Sequence, residues 1–209
     1  MTSSIRTKIM ATETPRRAFL AGGAVFAGSL LLGAPLRALT VDQARGLIDR
    51  AMAEINAVIA TGKPEAAMIA DFERIFARYA DVPAIARSAL GPAARTASAA
   101  QLSAFTEAFR GYLARKYGRR FREFIGGRIE VTGAKQDKSY FEVSSIARLR
   151  GQAPFDLRWY VSDRSGQQRF FNIIIEGVNM LASERAEITS MLQRRKGDLN
   201  QLIADLRRM

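Results

Sequence analysis

Hydrophobic residues recur at intervals of three and four positions through the first half of the chain, which is the spacing of one helical face. The first such run extends from Ala44 to Ile59. Thr40 and Gln43 precede it at the spacing of a capping box, in which each side chain satisfies the other residue's free backbone amide. Gly62 follows the run and marks its end. The pattern predicts an amphipathic helix with a defined first turn.

Three more helices are predicted before the pattern changes. One spans residues 68–79, and a short one begins near Asp81 and ends at Gly91. A second capping box, formed by Ser98 and Gln101, precedes a helix whose apolar face is strongly aromatic. That face contains Leu102, Phe105, Phe109, Tyr112, Leu113 and Tyr117, and it continues past Gly118 with Phe121, Phe124 and Ile125.

After Gly127 the hydrophobic period changes from 3.6 to two. The alternation predicts strands over residues 128–133, 139–149, 155–162 and 168–176, with breaks short enough for antiparallel hairpins. Helical spacing returns over 183–196 and 198–208. Helices, a strand meander and further helices predict an α+β fold, in which helices pack on one side of a curved four-stranded antiparallel sheet.

Residues 1–38 differ from the remainder and resemble an export signal. The sequence TPRRAFL over 14–20 fits the twin-arginine pattern, and a weakly apolar, glycine-rich stretch follows over 21–36. This stretch is short for a membrane span, and Arg37 after it suits the twin-arginine route. We expect cleavage after Ala38 and a soluble periplasmic product that forms one domain over 39–209. A retained N-terminal anchor is the alternative.

The composition removes most catalytic chemistry. The 209 residues include no cysteine and no histidine, which excludes disulfides, thiolate or imidazole metal sites and nucleophiles paired with histidine. No spacing suggests a carboxylate pair across a cleft. We therefore expect a binding protein with no catalytic residues, no cofactor and no metal, and not an enzyme.

The formal net charge of +12 invites a nucleic-acid interpretation. Part of that charge lies in the first 38 residues, and the other basic residues are mixed with acidic ones along the helices. The export signal also argues against nucleic acid as a partner. We expect a solvated surface that favours anionic membranes or acidic partners.

The second half of the sequence resembles the MlaC family, also called the toluene-tolerance auxiliary family. The family pattern is an aromatic residue, a Tyr-Asp pair, an apolar run and then Glu-Gly-Val-Ser. This chain has Trp159 followed by FFNIIIEGVNML over 170–181. Residues 71–72, 89–91 and 101–117 also fit, and Arg185 falls where the family often places an arginine, so the resemblance covers essentially all of 39–209.

The chain departs from that pattern at four places. Asn172 replaces the usual aspartate, Asn179 replaces the usual serine, Glu184 stands where tyrosine is common, and no tryptophan follows Gly91. A branch of the family is linked to hopanoid lipids. A hopanoid or another lipid is therefore the alternative to a phospholipid as ligand.

The resemblance implies a periplasmic carrier that holds a phospholipid, or a related two-tailed lipid, in an apolar cavity between sheet and helices. Such proteins move lipid between an outer-membrane lipoprotein complex and an inner-membrane ABC permease that bears an MCE-domain protein, and they are not catalysts. An adaptor that joins these membrane complexes without binding lipid is the alternative function.

A carrier of this kind needs an interior nearly as apolar as a bilayer, because roughly thirty methylenes at about 0.8 kcal/mol each would cost on the order of 24 kcal/mol in water. Ordinary core packing is the alternative for every apolar candidate. The candidates for lipid contact are Phe105, Phe109, Tyr112, Leu113, Tyr117, Phe121 and Phe124 on helices, Val131, Phe141, Val143, Leu157, Trp159, Ile173 and Ile175 on strands, and Val178 and Met180 at the rim.

Four basic residues follow one another closely at the end of the aromatic helix. They are candidates for contact with a lipid headgroup or an anionic membrane, and a plain solvated face is the alternative. These residues are Arg115, Lys116, Arg119 and Arg120.

Overall fold

The computed structural model describes residues 39–118 and 127–209, so the predicted export signal at 1–38 lies outside the described residues. The first half is helical, as the spacing predicts. It comprises α1 (Val41–Ala60), α2 (Glu65–Tyr79), α3 (Val82–Leu90), a 3₁₀ turn (Gly91–Arg95) and α4 (Ala99–Gly118).

Both predicted capping boxes are present. The Thr40 hydroxyl accepts a hydrogen bond from the Gln43 backbone amide at 3.2 Å, and the Thr40 amide donates to Gln43 Oε1 at 3.0 Å. Ser98 and Gln101 exchange the same pair of bonds at 3.1 and 3.0 Å. These bonds satisfy amides that a helix end would otherwise leave without partners, and they set where α1 and α4 begin.

The second half forms one antiparallel sheet followed by two helices. Its strands are β1 (Arg128–Asp137), β2 (Tyr140–Arg148), β3 (Phe155–Ser162), β4 (Arg169–Ile175) and β5 (Val178–Asn179), paired in chain order. Helices α5 (Met180–Arg194) and α6 (Leu199–Arg208) follow. The predicted α+β fold is confirmed.

The prediction of four strands was wrong, because the sheet has five. Glu176 and Gly177 both have positive φ, 48° and 82°, as in the tight turns that join hairpin strands. The chain therefore folds back on β4, and the pairs Ile175–Val178 and Ile174–Asn179 form a two-residue strand. A strand of two residues has no alternation for a sequence pattern to reveal. Helix α5 begins directly after this strand, at Met180, which is three residues earlier than expected.

The helices build the interior against the sheet. Helix α1 packs on β1, β2 and β3, whereas α3 and α5 pack on β4, and α4 lies between α2, α3 and α6. One large cluster of buried apolar side chains joins the helices and the sheet. No helix within the two described ranges is both long and apolar enough to cross a bilayer.

Candidate functional site

A cavity of about 180 Å³ lies where β3 and β4 meet the helices. Side chains from α1, α2, α3, α4 and α5 close it from the other side. Apart from Asn172 and Glu184, its lining among the described residues consists of aliphatic and aromatic residues and one glycine. A lining of this kind suits hydrocarbon, because it presents few polar groups that would need water or hydrogen-bonding partners.

Helix α4 belongs to the packed core along one part and to the cavity along the other. Phe105 and Phe109 are fully buried and stack with ring centroids 5.5 Å apart. One to two turns later, Leu113, Tyr117 and Gly118 line the cavity. The aromatic stripe is continuous in sequence, but only its C-terminal portion meets open space.

Gly118 lets α2 and α4 approach each other beside the cavity. A Cβ at this position would lie 2.8 Å from Cγ1 of Ile69 and 3.6 Å from the Ile69 Cα. Because real side chains do not come that close, any larger residue would push the two helices apart. The wall of the cavity formed by α2 and α4 therefore depends on glycine at this position.

The sheet contributes one face to the cavity floor. Val143, Trp159 and Ile173 are cross-strand partners on β2, β3 and β4, so their side chains share that face. Val143 is fully buried in the core, whereas Trp159 and Ile173 line the cavity. The Trp159 indole N–H donates to Ser145 Oγ at 3.2 Å, which leaves the apolar ring surface to face the open space. The boundary between packed core and cavity thus runs across the sheet between β2 and β3.

The structure divides the predicted apolar contacts into five groups. Six of them line the cavity: Leu113, Tyr117, Trp159, Ile173, Ile175 and Met180. Phe105, Phe109, Tyr112, Phe141, Val143 and Leu157 are buried in the core away from it. Val131 is half-buried against the core, and Val178 is 54% exposed on β5. Phe121 and Phe124 lie outside the described residues.

Sequence reasoning missed the wall formed by α1 and α2. The residues of this wall are Ala51, Met52 and Ile55 on α1 and Phe72, Ile75 and Phe76 on α2. Their helical spacing was visible, but it predicts burial and does not distinguish a packed neighbour from an open space. Ile85, Ala114, Phe170, Phe171 and Leu181 complete the missed apolar lining.

A polar cluster, defined here as Glu184, Lys116 and Tyr117, joins α5 to α4 at the cavity wall. Lys116 Nζ donates to Glu184 Oε1 at 2.8 Å, and the Tyr117 hydroxyl donates to the same oxygen. Burial raises the pKa of Tyr117, and its hydrogen bond to the Glu184 carboxylate raises it further. Partial burial would lower the pKa of Lys116, but hydrogen bonds to Glu184 and Glu187 outweigh it and raise that pKa above its ordinary value.

The predicted basic cluster is engaged within the protein wherever the structure describes it. Arg115 Nη2 donates to the Leu206 backbone carbonyl at 2.7 Å, which fixes it against α6. Lys116 pairs with Glu184 and with Glu187, the latter at 2.5 Å. Arg119 and Arg120 lie outside the described residues. A contact between these residues and a headgroup stays a prediction.

Two of the departures from the family pattern compensate for each other. The Asn172 side-chain amide donates to Asn179 Oδ1 at 3.1 Å, and Asn172 Oδ1 accepts from the Leu181 backbone amide at 3.1 Å. Asn179 Oδ1 also caps α5 by accepting from the Ala182 amide. An aspartate at 172 would have no N–H to offer Asn179. The pair of asparagines therefore ties β4 to the first turn of α5 beside the cavity.

These features define a class: an α+β domain whose antiparallel sheet and helices enclose a mainly apolar cavity large enough to admit part of an apolar ligand. The chain belongs to the MlaC family, because the model of the MlaC protein family matches residues 45–208.

A solved structure from Ralstonia solanacearum has the same fold. It is described as a phospholipid-binding protein in complex with a phospholipid. The two chains are 18% identical, with a TM-score of 0.65. The match covers 78% of this chain and 98% of that one.

Proposed function

We propose that this protein binds a phospholipid with its acyl chains in the cavity and carries it through the periplasm. In this proposal the lipid passes between an outer-membrane lipoprotein complex and an inner-membrane ABC permease with its MCE-domain protein. The protein acts as a carrier and catalyses no reaction. The observation that supports the proposal best is an apolar cavity between sheet and helices in a chain of the MlaC family.

The proposed lipid contacts follow the observed lining. Leu113, Tyr117, Trp159, Ile173 and Ile175 come from both sides of the cavity, and Met180 lies at the start of α5. Methionine side chains are flexible and adapt to hydrocarbon chains of different shape. An adaptor without a ligand has no need of such a space, because close packing would make its core more stable.

The size of the cavity implies that the domain opens when lipid enters. A void of about 180 Å³ is close to the roughly 150 Å³ that admits a single benzene molecule. Pockets that enclose drug-sized ligands measure about 300–1,000 Å³. Two acyl chains therefore require the helices to separate from β3 and β4, and α2 with the C-terminal part of α4 form the wall that we expect to move.

Lipid extraction is the direct test of binding. Purified, delipidated protein is incubated with phospholipid vesicles, separated from them by flotation and measured by native mass spectrometry. We expect one bound phospholipid per chain. A protein that stays lipid-free at vesicle concentrations well above those needed by a known carrier would contradict the proposal.

A photoreactive phospholipid with a diazirine in one tail tests the position of the ligand. We expect crosslinks to peptides of α2 and β4, which include Phe72, Ile75, Ile173 and Ile175. The N-terminal part of α4, with Phe105, serves as the internal control, because Phe105 is an aromatic residue that is fully buried but does not line the cavity. Equal labelling of both regions would argue against the proposed site.

Transport and localisation need separate measurements. Transfer of labelled phospholipid from donor to acceptor vesicles should rise in proportion to the concentration of protein. For export, cell fractionation should find the wild-type chain in the periplasm, and replacing Arg16 and Arg17 with lysine should retain it in the cytoplasm. Unchanged export of that variant would contradict the twin-arginine route.

A further inference from the structure

Leu39 directly precedes the capping box of α1 and is held firmly in the fold. Its side chain is 6% exposed and belongs to the main cluster of buried apolar residues. An apolar residue in this position, just before the cap, commonly packs against the first turns of its helix. The hydrogen bonds between Thr40 and Gln43 fix the chain on the C-terminal side. The Leu39 nitrogen therefore has a defined place in the domain.

The Leu39 nitrogen faces a carboxylate from a distant part of the chain. Its backbone N–H donates to Asp163 Oδ2 at 2.9 Å, across 124 positions of sequence. Asp163 directly follows β3, and its carbonyl oxygen accepts from the Gly166 amide at 2.8 Å, which closes a turn. Because the residues at both ends of the Leu39–Asp163 hydrogen bond are anchored in the fold, the carboxylate is positioned for this nitrogen.

The negative charge of Asp163 has no counter-charge within residues 39–118 and 127–209. Asp163 is half-buried, and none of its contacts in these ranges is an ion pair with a basic side chain. A backbone amide is neutral, so it satisfies one carboxylate oxygen but leaves the charge uncompensated. A cation at the same nitrogen would supply both the hydrogen bond and the opposite charge.

Cleavage between Ala38 and Leu39 would create that cation. Hydrolysis by a signal peptidase adds one water molecule across this peptide bond and yields a carboxylate at Ala38 and an ammonium group at Leu39. An α-amino group has an ordinary pKa of about 7.7–8.0, so it is largely protonated at pH 7. Rotation about the N–Cα bond brings one of its three N–H bonds towards Asp163 while Leu39 stays in place.

We propose that Leu39 is the N-terminal residue of the mature protein and that its α-ammonium group forms an ion pair with Asp163. Removal of the export signal then replaces a neutral hydrogen-bond donor with a charged one at the same atom. The processed domain is therefore more stable than the same domain with an extended N-terminus. This inference relies on the export in the proposed function but not on the lipid.

The position of the mature N-terminus is the first measurement. The full-length chain is expressed with its own signal, purified from the periplasm and analysed as intact protein by mass spectrometry. We expect the mass of residues 39–209. A chain that begins at another residue, or one that retains residues 1–38, overturns the inference.

The ion pair is tested by comparing two N-termini. Every helix and strand of the described fold lies within 39–209, so one protein begins at Leu39 and the other carries Gly-Ser-Gly-Ser before it, which restores the neutral amide. Both are unfolded in urea at pH 6.5, with and without Asp163→Asn. We expect the substitution to reduce the folding equilibrium constant about fivefold more in the protein that begins at Leu39, because only that protein loses an ion pair. An equal reduction in both proteins overturns the inference.

Asp156→Asn is the matched control for the change of charge. Asp156 is an exposed aspartate near the opposite end of β3 from Asp163. Its substitution should affect the two proteins equally. A larger effect in the protein that begins at Leu39 would mean that the new terminus responds to net charge and not to Asp163, which overturns the inference.

Acetylation of the α-amino group tests the wild-type sequence alone, in case Asp163→Asn does not fold. We expect the folding equilibrium constant to fall about fivefold in the protein that begins at Leu39 and to stay unchanged in the extended protein. The same response in both proteins overturns the inference. Lipid uptake by these proteins is measured separately, so a protein that begins at Leu39 and pairs with Asp163 but takes up no lipid contradicts only the proposed function.

Discussion

The two parts of α4 have the same sequence pattern and different surroundings. The N-terminal part places Phe105 and Phe109 in a closely packed core, with stacked rings and no exposed surface. The C-terminal part places Leu113, Tyr117 and Gly118 against open space and a buried polar cluster. An apolar stripe therefore predicts which face of a helix is buried, whereas the neighbouring elements decide whether that burial is complete.

The elements that pack against α4 explain the difference. Helix α6 runs along both parts, because Gln101 contacts Asn200 and Arg115 contacts Leu206, whereas the C-terminal part alone shares the cavity with α2, β4 and the start of α5. Ala114 and Gly118 contribute little volume there. A domain that accepts hydrocarbon can therefore keep one part rigid as a scaffold while the other part opens.

The largest expected effect comes from removing one large side chain in the packed core and another at the edge of the cavity. Ile48 on α1 is fully buried in the core, and Ile75 on α2 is buried but borders the cavity. Because Ile75 already lacks neighbours on one side, its loss removes fewer contacts. We expect Ile48→Ala to lower the free energy of unfolding by about 4 kcal/mol and Ile75→Ala to lower it by about 2 kcal/mol.

The measurement is urea denaturation of both lipid-free variants beside the wild type, with the same slope in each case. The two isoleucines are matched in type and secondary structure, so they control for each other. Equal losses would mean that the cavity end is as tightly packed as the core and would remove the contrast on which the comparison rests.

The sequence predicts the helices and strands more completely than it predicts the residues that line the cavity. The capping boxes at Thr40 and Ser98 and the change of period after Gly127 predict element boundaries from local chemistry, because these bonds and alternations act between near neighbours. The fifth strand was not predicted, because a strand of two residues shows no alternating pattern. The sequence does not distinguish Phe109, which is buried in the core, from Tyr117, which lines the cavity. The open space beside Tyr117 is formed with residues of α2, β4 and α5, which are distant from it in sequence.

Glu184 shows the same limit for polar residues. The sequence places it where the family commonly has tyrosine, and it lies on a helix that also carries exposed charges. Its burial follows from contacts with Lys116 and Tyr117, which are 68 and 67 residues away along the chain. A local sequence pattern does not reveal contacts between residues so far apart, so the burial of Glu184 could not be predicted.

The second prediction concerns the polar cluster that belongs to the cavity end alone. Tyr117→Phe removes the hydroxyl that donates to Glu184 Oε1 and keeps the ring that lines the cavity. A hydrogen bond to a charged group contributes about 1.5–3 kcal/mol, and we expect a loss of unfolding free energy within that range.

Tyr112→Phe is the matched control. The Tyr112 hydroxyl accepts from Lys116 at 2.9 Å and interacts with the Glu187 carboxylate, which is partly exposed so that water can replace the hydroxyl, and Lys116 keeps its two carboxylate partners without it. We expect a loss of about 1 kcal/mol or less. A loss for Tyr112→Phe equal to or larger than that for Tyr117→Phe would contradict the expectation that the Tyr117 hydroxyl makes the stronger hydrogen bond.

The third prediction concerns substitutions that add a large side chain instead of removing one. Ala114 on α4 lines the cavity, and Ala108 on the same helix is buried in the core. Ala114→Phe should reduce phospholipid uptake at least tenfold, equivalent to about 1.4 kcal/mol, because its ring occupies the proposed lipid site. We expect little change in stability, since the ring enters existing space.

The same substitution in the packed part gives the opposite result. Ala108→Phe has no space to enter and should destabilise the domain by about 1–3 kcal/mol, while the folded fraction takes up lipid as before. Lipid uptake and urea denaturation measured on both variants check the pair. Normal uptake by Ala114→Phe would place the acyl chains elsewhere.

The smallest expected effect is a response to acid at the cavity end. The hydrogen bond from Lys116 holds the pKa of Glu187 below its ordinary value, although partial burial acts in the opposite direction. A carboxyl group with a lowered pKa in the folded state contributes stability that is present above its unfolded value of about 4.3 and is lost as the pH falls through the folded value. Because Glu187 is 41% exposed, solvent screening limits this contribution to a few tenths of a kcal/mol.

We therefore expect the wild type to lose slightly more stability than Glu187→Gln between pH 7 and pH 3, measured by urea denaturation at each pH. The carboxylates at Asp71 and Asp205, whose pKa values are also lowered by ion-pair partners, are common to both proteins and cancel in the difference. As the pH falls, hydrogen-exchange protection relative to the unfolded chain should decrease in the first turns of α5 before it decreases in the N-terminal part of α4, because the cavity end depends on an ion cluster and the packed end depends on contacts that do not titrate. Simultaneous loosening of both regions would contradict the division of the domain into a rigid part and an opening part.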